Sequence, residues 1–384
     1  MSILIWFSEE TLVMRIMEKT PCNELLSHEE MRHALELMIH RMDAIDANCA
    51  NGFPLYSPGS TDQWLVSPGG SWVGGFWAGC WWLRAKLTES KSDRRKASAI
   101  CQRLDNKITA DSINRSMIFW YGAALGDIWF SDENARKLVK EAVDALAASY
   151  GPKIQCMPVG TDMGGGKEGN RHITIDTFAP LVQLFSRSEY SKHEYISRWH
   201  ADTLLAACCT DGDGFHTAAC YEQGNFRPSD QAGDWSRGQA WAMLGLSRAA
   251  AQWGEPYLSY ARSACEYWRN SRTELLAPNR LSHPSGLCDP SSSAVASLAM
   301  LAIADLIADG EQWRTYAYQQ ITAIIRSQYF TGFQENDDKA AQGIFWGCCY
   351  KTNQGDELVE SAWGNFFLMS ALAILVDAIK PGDC

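Results

Sequence analysis

Apolar positions recur along most of the chain at the three-and-four spacing of helices, not in the alternation of strands. The periodicity predicts twelve helices, near residues 27–46, 73–88, 92–107, 117–130, 133–149, 174–187, 190–208, 237–252, 254–271, 291–309, 311–328 and 360–379. They differ in kind. Val73–Leu83 and Met117–Phe130 are apolar on most faces, as buried helices are, whereas 92–107 and 133–149 carry a polar face. This alternation predicts an all-α fold, an (α/α)6 barrel of six helical hairpins whose inner ring is sheathed by an outer one. A helical-repeat solenoid is the all-α rival, but the sequence has no fixed-length repeat. Glycine, proline and aspartate collect in long joins at 49–72, 151–173, 209–236, 272–290 and 329–359. Long joins in a compact domain are usually functional. They are expected to build one end of the barrel, with small hairpins formed by the strand-like pieces Gly214–Tyr221 and Gly343–Lys351. No break in composition marks a second domain, so 1–384 reads as one barrel domain with 1–26 as an N-terminal extension.

Charge and composition narrow the partners. The chain has 45 acidic against 34 basic residues and a net charge of −11, with no Lys/Arg-rich run, so nucleic acid is not an expected partner. No apolar run approaches the roughly 18–20 residues that cross a bilayer, so no membrane association is expected. The apolar start Ile3–Phe7 is short, has no positive flank and meets Glu9 and Glu10 at once, unlike a secretory signal. A cytoplasmic location follows as an expectation, and the sequon Asn114-Arg115-Ser116 then reads as chance. The 13 cysteines show no C-x-x-C or zinc spacing, and several, such as Cys80 and Cys265, lie in apolar helical runs. Free buried thiols are expected, not a disulfide framework.

Candidate chemistry gathers at helix starts. Gly233–Trp241 sets two indoles, a guanidinium and a carboxylate within nine residues. Aromatic faces hold rigid rings and a guanidinium fork holds a carboxylate, so Trp235, Arg237 and Trp241 suggest a pocket for a ring that bears an acid group. With 16 tryptophans in the chain, ordinary core packing is the competing reading. Asp176 opens a strongly apolar helix, where it serves either as an N-terminal cap or as a general acid whose pKa is raised by apolar surroundings. Asp211–His216 resembles a calcium loop but lacks the downstream glutamate, so a turn presenting His216 is the better reading. Gly164-Gly165-Gly166-Lys167-Glu168 is followed by no Ser or Thr and preceded by no strand, which excludes a phosphate loop and leaves a flexible loop over the site. Trp72 stands at the head of a glycine-rich helix start that runs to Gly79, and Asp289–Ala294 opens the tenth helix. Capping and close packing would account for both.

Taken in order, these segments resemble the unsaturated glucuronyl hydrolases, a glycoside hydrolase family with a six-hairpin α/α barrel, over roughly residues 53–379. The family's W-x-x-G-F-W-x-G appears as Trp72–Gly79, its I-D-[NT]-M-x-x-L as Ile175–Leu181, and its W-[AS]-R-G-Q-A-W as Trp235–Trp241. Looser matches are D-G-S-x-H at Asp211–His216, D-S-S-A-A at Asp289–Ala294 with Pro290 inserted, and G-D-Y-Y-F-x-E-A-L at Gly364–Leu372. The resemblance implies a substrate whose non-reducing end is a Δ4,5-unsaturated uronic acid, hydrated at its vinyl ether. An aspartic acid protonates C4, water adds at C5, and the hemiketal opens and expels the aglycone. It assigns Asp176 as acid and base, Arg237 and His216 as substrate-orienting residues, and Trp72, Trp235 and Trp241 as ring platforms. It implies neither a metal nor an organic cofactor.

One departure stands out. The family's T-H-D-x-G-[FY] stretch, with its second aspartate, falls on Ser116–Tyr121, which puts Met117 in the place of the histidine and Ile118 in that of the aspartate. Both would then border the substrate without a charge. Asp127 lies nine residues on, roughly 13 Å along a helix, too far to stand in. Three functions remain open on the sequence: a hydrolase of unsaturated uronides, a non-hydrolytic isomerase, cyclase or dehydratase of a small metabolite using Asp176, or an inactive carbohydrate-binding protein. The partner in each case is a small molecule or oligosaccharide.

Overall fold

The computed structural model of the protein describes residues 24–49, 52–333 and 341–384. The expected N-terminal extension 1–26 lies almost wholly outside the described residues. The helices are α1 (His28–Cys49), α2 (Gly74–Thr88), α3 (Lys91–Gln102), α4 (Arg115–Phe119), α5 (Leu125–Phe130), α6 (Glu133–Ala147), α7 (Phe178–Phe185), α8 (Ser191–Cys208), α9 (Ser236–Trp253), α10 (Tyr257–Ser271), α11 (Pro290–Ala304), α12 (Glu311–Ile325) and α13 (Ala362–Leu375). A π-helical turn, Trp120–Ala124, joins α4 to α5, so the two run as one segment. Each predicted helix has its counterpart.

The burial pattern sorts these segments into two rings. Helix α6 buries Ala135, Leu138, Val139, Ala142, Val143 and Leu146, one stripe at helical spacing, and leaves the rest to solvent. Helix α11 is buried at every residue from Pro290 to Ile303. Segments α2, α4–α5, α7, α9, α11 and α13 each pack on the next, and α13 returns to α2, closing an inner ring. The other six helices sheathe it, giving the six-hairpin barrel that the periodicity predicts. Inside, Phe76 stacks on Tyr121 with ring centroids 4.5 Å apart, and Phe366 and Phe367 meet both edge-on. The approach of α2 to α4 depends on Gly75, where a Cβ would lie 2.5 Å from the Ile118 Cα.

Turns from inner to outer helices are short, such as residues 89–90 and 131–132. All six joins that lead into inner helices are longer and lie at the other end. They carry two small antiparallel sheets. One has the order β2-β1-β7-β6, with β1 (Phe53–Pro58), β2 (Leu65–Ser67), β6 (Cys348–Thr352) and β7 (Gly355–Ser361). The other has the order β3-β4-β5, with β3 (His172–Thr174), β4 (Ala218–Glu222) and β5 (Asn225–Pro228). The two expected hairpins thus exist, each shifted toward the C-terminus. The β1–β2 hairpin carries no clear alternation and was not anticipated.

The pairing of β1 with β7 ties the first join to the last. Beside it, Arg41 of α1 meets Glu360 through two hydrogen bonds of 3.2 and 2.7 Å, and Asn365 donates to the same carboxylate at 3.1 Å. Both ionic partners are buried. The described cysteines are all unpaired. Among the described residues, no helix is long and apolar enough to cross a membrane.

Candidate active site

The N-terminal ends of five of the six inner helices converge on a cavity of about 210 Å³. Trp72 reaches it from just before α2, Asn114 and Met117 from the start of α4, and Asp176 from the turn before α7. Trp235, Arg237 and Trp241 come from the start of α9, Tyr350 from β6 and Trp363 from the start of α13. Other hollows are larger. One of about 380 Å³ on the outer wall is lined by Asp127, Arg136 and Arg187. There Arg136 and Arg187 both pair with Asp127.

Asp176 sits in the 3-10 turn Ile175–Thr177, which β3 delivers to the head of α7. The cap position of α7 is Thr177, and no side-chain bond caps the helix, so Asp176 is not spent on capping. Its Oδ1 is sealed from solvent and has no hydrogen-bond partner, while the residue as a whole borders the cavity. Burial pushes this carboxyl up to about 6; Arg237 pulls it back down and the charge of Asp230 adds to the rise.

Arg237 is fixed on several sides. Its Nη1 donates to Asp289 Oδ2 at 2.5 Å and to the Cys349 carbonyl at 2.7 Å. Its guanidinium lies 4.9 Å from the Trp235 ring and 4.6 Å from the Trp363 ring. Asp289, at the head of α11, is fully buried and also accepts from Ser291 Oγ and the Cys349 N–H. Burial raises the Asp289 carboxyl, against the pull of Arg237 and these donors.

The tryptophans divide between the two readings that the sequence leaves open. Trp72 and Trp235 are partly exposed and face the cavity, as platforms would. Trp241 and Trp363 are buried, and Trp241 packs edge-on to Phe367 at 5.2 Å, so they are core residues with one side on the cavity. Other members of the Gly233–Trp241 stretch act as scaffolding. Gln239 accepts from the Phe215 N–H at 2.9 Å and donates to the Asp213 carbonyl at 3.2 Å, which pins the turn before His216.

Two expected site residues lie elsewhere. Ile118 is wholly buried against Gly75 and does not reach the cavity, because the face that α4 turns inward carries Asn114 and Met117. His216 is not among the lining residues. Its Nδ1 donates to the Asp230 carbonyl at 2.7 Å, and Asp230 in turn accepts from the N–H and hydroxyl of Thr217. The Thr217 carbonyl accepts from the Ile175 N–H at 3.0 Å, so His216 stands behind the strand that carries Asp176. The lining residues that the sequence reading did not name are Asn114, Tyr350 and Trp363. The only sequence mark on Asn114 is its sequon.

The glycine-rich loop does not hang free over the cavity. Thr161 donates to Asp111 Oδ2 from both its N–H and its hydroxyl, and Asp162 Oδ2 accepts from the Asp111 N–H. Gly160 has φ +83°, and a Cβ there would lie 2.2 Å from the Asp111 carbonyl oxygen, so the contact requires glycine. Among the described residues, no group of three or more His, Cys, Asp or Glu is placed to hold a metal ion.

No family model matches the chain. Among curated proteins, the unsaturated glucuronyl hydrolase of Bacillus sp. strain GL1 is 24% identical over 351 residues, covering 83% of this chain and 90% of that protein. The crystal structure of an unsaturated glucuronyl hydrolase from Bacillus sp. GL1, responsible for the degradation of glycosaminoglycan, superposes with a TM-score of 0.79 at 20% identity, covering 90% of this chain and 96% of that one. A Streptococcus agalactiae unsaturated glucuronyl hydrolase variant complexed with dGlcA-GalNAc6S gives a TM-score of 0.72 at 15% identity, covering 92% and 93%. In sequence along most of its length and in fold, the chain is thus similar to the unsaturated glucuronyl hydrolases.

Proposed function

We propose that the protein hydrates the C4=C5 vinyl ether of a Δ4,5-unsaturated uronic acid at the non-reducing end of a saccharide, releasing the rest of the sugar. One observation carries this reading: a carboxyl with an unpartnered, sealed oxygen stands in an aromatic cavity beside a fixed guanidinium. Protonated Asp176 delivers its proton to C4. Positive charge then builds at C5 and the ring oxygen, where the faces of Trp235 and Trp72 stabilise it. The Asp176 carboxylate takes a proton from the water that adds at C5, which restores the acid. The hemiketal opens and the aglycone leaves. Arg237 attracts the uronate carboxylate, and Asp289 and the two indoles hold its fork in place.

The acid must be protonated to start the reaction, so turnover falls as pH rises through about 6. The test is loss of the C4=C5 ultraviolet absorbance across a panel of unsaturated uronyl disaccharides, with Asp176→Asn as control. Loss that depends on Asp176 supports the proposal, and no loss from folded protein refutes it. The apolar Met117 on the cavity wall favours a second reading, in which Asp176 protonates a small apolar metabolite without hydrolysis. Product analysis separates the two, since a rearranged skeleton of unchanged mass or a dehydrated one would replace the released aglycone.

A further inference from the structure

Among the described residues, Asn114 is the one carboxamide on the cavity wall, and it is held on two sides. Its Nδ2 donates to the Met163 carbonyl at 3.3 Å, and its backbone N–H donates to Ser112 Oγ at 3.2 Å. Met163 belongs to the glycine-rich loop, which is tied to the segment before Asn114 through Asp111, Thr161 and Asp162. One of its two N–H donors is committed to Met163, and the carboxamide also carries an acceptor, Oδ1. The rest of the lining supplies little of that kind. Arg237 and the indoles are donors only, Met117 is apolar, and the Tyr350 hydroxyl rotates to give as readily as to take.

We propose that Asn114 Oδ1 holds the water that adds at C5, and that the Thr161–Gly169 loop exists to aim it. This assignment rests on the hydration reading above. One O–H of the water donates to Asn114, and the other proton passes to the Asp176 carboxylate as the oxygen bonds to C5. The proton that Asp176 gave to C4 is thereby replaced, and the sum is addition of one water across the double bond. A neutral amide suits the task, since it orients the water without competing with Asp176 for the proton.

The experiment compares wild type, Asn114→Ala and Asn114→Asp on the unsaturated disaccharide that wild type turns over, with folding of each checked by melting. Asn114→Ala should lower kcat about 10–100-fold, the worth of one lost hydrogen bond in the transition state, with KM changed less than about threefold. Asn114→Asp keeps the shape and the acceptor, adds a charge and loses the N–H that the Met163 carbonyl accepts. It should move the alkaline limb of the pH profile upward. The charges that face Asp176 in wild type are Arg237 of α9 and Asp230 after β5, and a new carboxylate on α4 would join Asp230 in opposing its ionisation. An alanine variant with unchanged kcat, or one raised only in KM, overturns the assignment while leaving the hydrolase reading intact. So does an Asn114→Asp profile that does not move. A folded wild type that turns over no unsaturated uronide overturns both.

Discussion

Replacing Asp176 by asparagine removes the proposed acid and also a group whose ionised form the folded protein disfavours. The carboxyl goes from 3.8 in the unfolded chain to about 6 in the native protein. A difference of roughly two pKa units at 1.36 kcal/mol each makes ionisation cost the native state about 3 kcal/mol more than the unfolded one. One oxygen is sealed, but the residue also borders a cavity that admits water, so about 2–3 kcal/mol is the working figure. The sign follows from a raised pKa. Below pH about 3 the group is protonated in both states and almost nothing is lost; the loss grows as pH rises through 3.8 and is nearly complete above about 6. Asparagine never ionises and escapes it. Unfolding entropy of about 2.1 cal/mol/K per residue gives roughly 0.8 kcal/mol/K for this chain, so the variant should melt about 3–4 °C higher than wild type at pH 7. The two should melt together near pH 3. Thermal unfolding at pH 3, 4, 5 and 7, followed by circular dichroism at two scan rates, reads the difference. An equal gap at every pH, or a wild type that melts higher at pH 7, would refute the placement of Asp176 as a desolvated acid.

Three further outcomes follow from the packing. Ile118→Asp should not restore a second carboxylate to the site; it should destabilise the protein by several kcal/mol, because it buries an unpaired group against Gly75, and urea unfolding will show it. Asp289→Ala leaves Arg237 buried without its partner, and should cost about 3–5 kcal/mol of stability and raise KM for an anionic substrate, read by melting and steady-state kinetics. Arg41→Met strands Glu360 in the seam between the first and last hairpins; a loss of about 3–5 kcal/mol is expected, and Arg41→Met combined with Glu360→Leu should recover most of it.

The barrel was legible because each of its helices repeats one message. The stripe of α6 and the all-round burial of α11 differ in the sequence itself, and twelve alternating segments leave few ways to close. Asp176, Arg237 and the tryptophans were legible as residue types at helix starts. What stayed hidden was which face of a helix meets the cavity. Ile118 and Met117 are neighbours in an unbroken apolar run, so hydrophobicity cannot say which one turns inward, and the π-helical turn just beyond shifts the phase of whatever follows. Asn114 was hidden for another reason. Its role depends on the Met163 carbonyl, 49 residues away, and a backbone acceptor leaves no trace in a sequence. The partner of His216 was hidden too: its Nδ1 donates to the Asp230 carbonyl, another backbone acceptor, and the residue is not among those that line the cavity.

The six inner helices share a direction, five of them begin at the cavity, and each carries roughly half a positive charge at its N-terminal end from its aligned peptide dipoles. The protein as a whole carries −11, yet the mouth of its barrel is lined by the positive ends of that ring and by Arg237. An anion diffusing toward it is repelled at a distance by the acidic surface and drawn in only over the last few ångströms. Added salt screens the long-range repulsion before it weakens the short-range attraction. Association with a uronate should therefore quicken, not slow, as ionic strength first rises, the reverse of ordinary electrostatic steering.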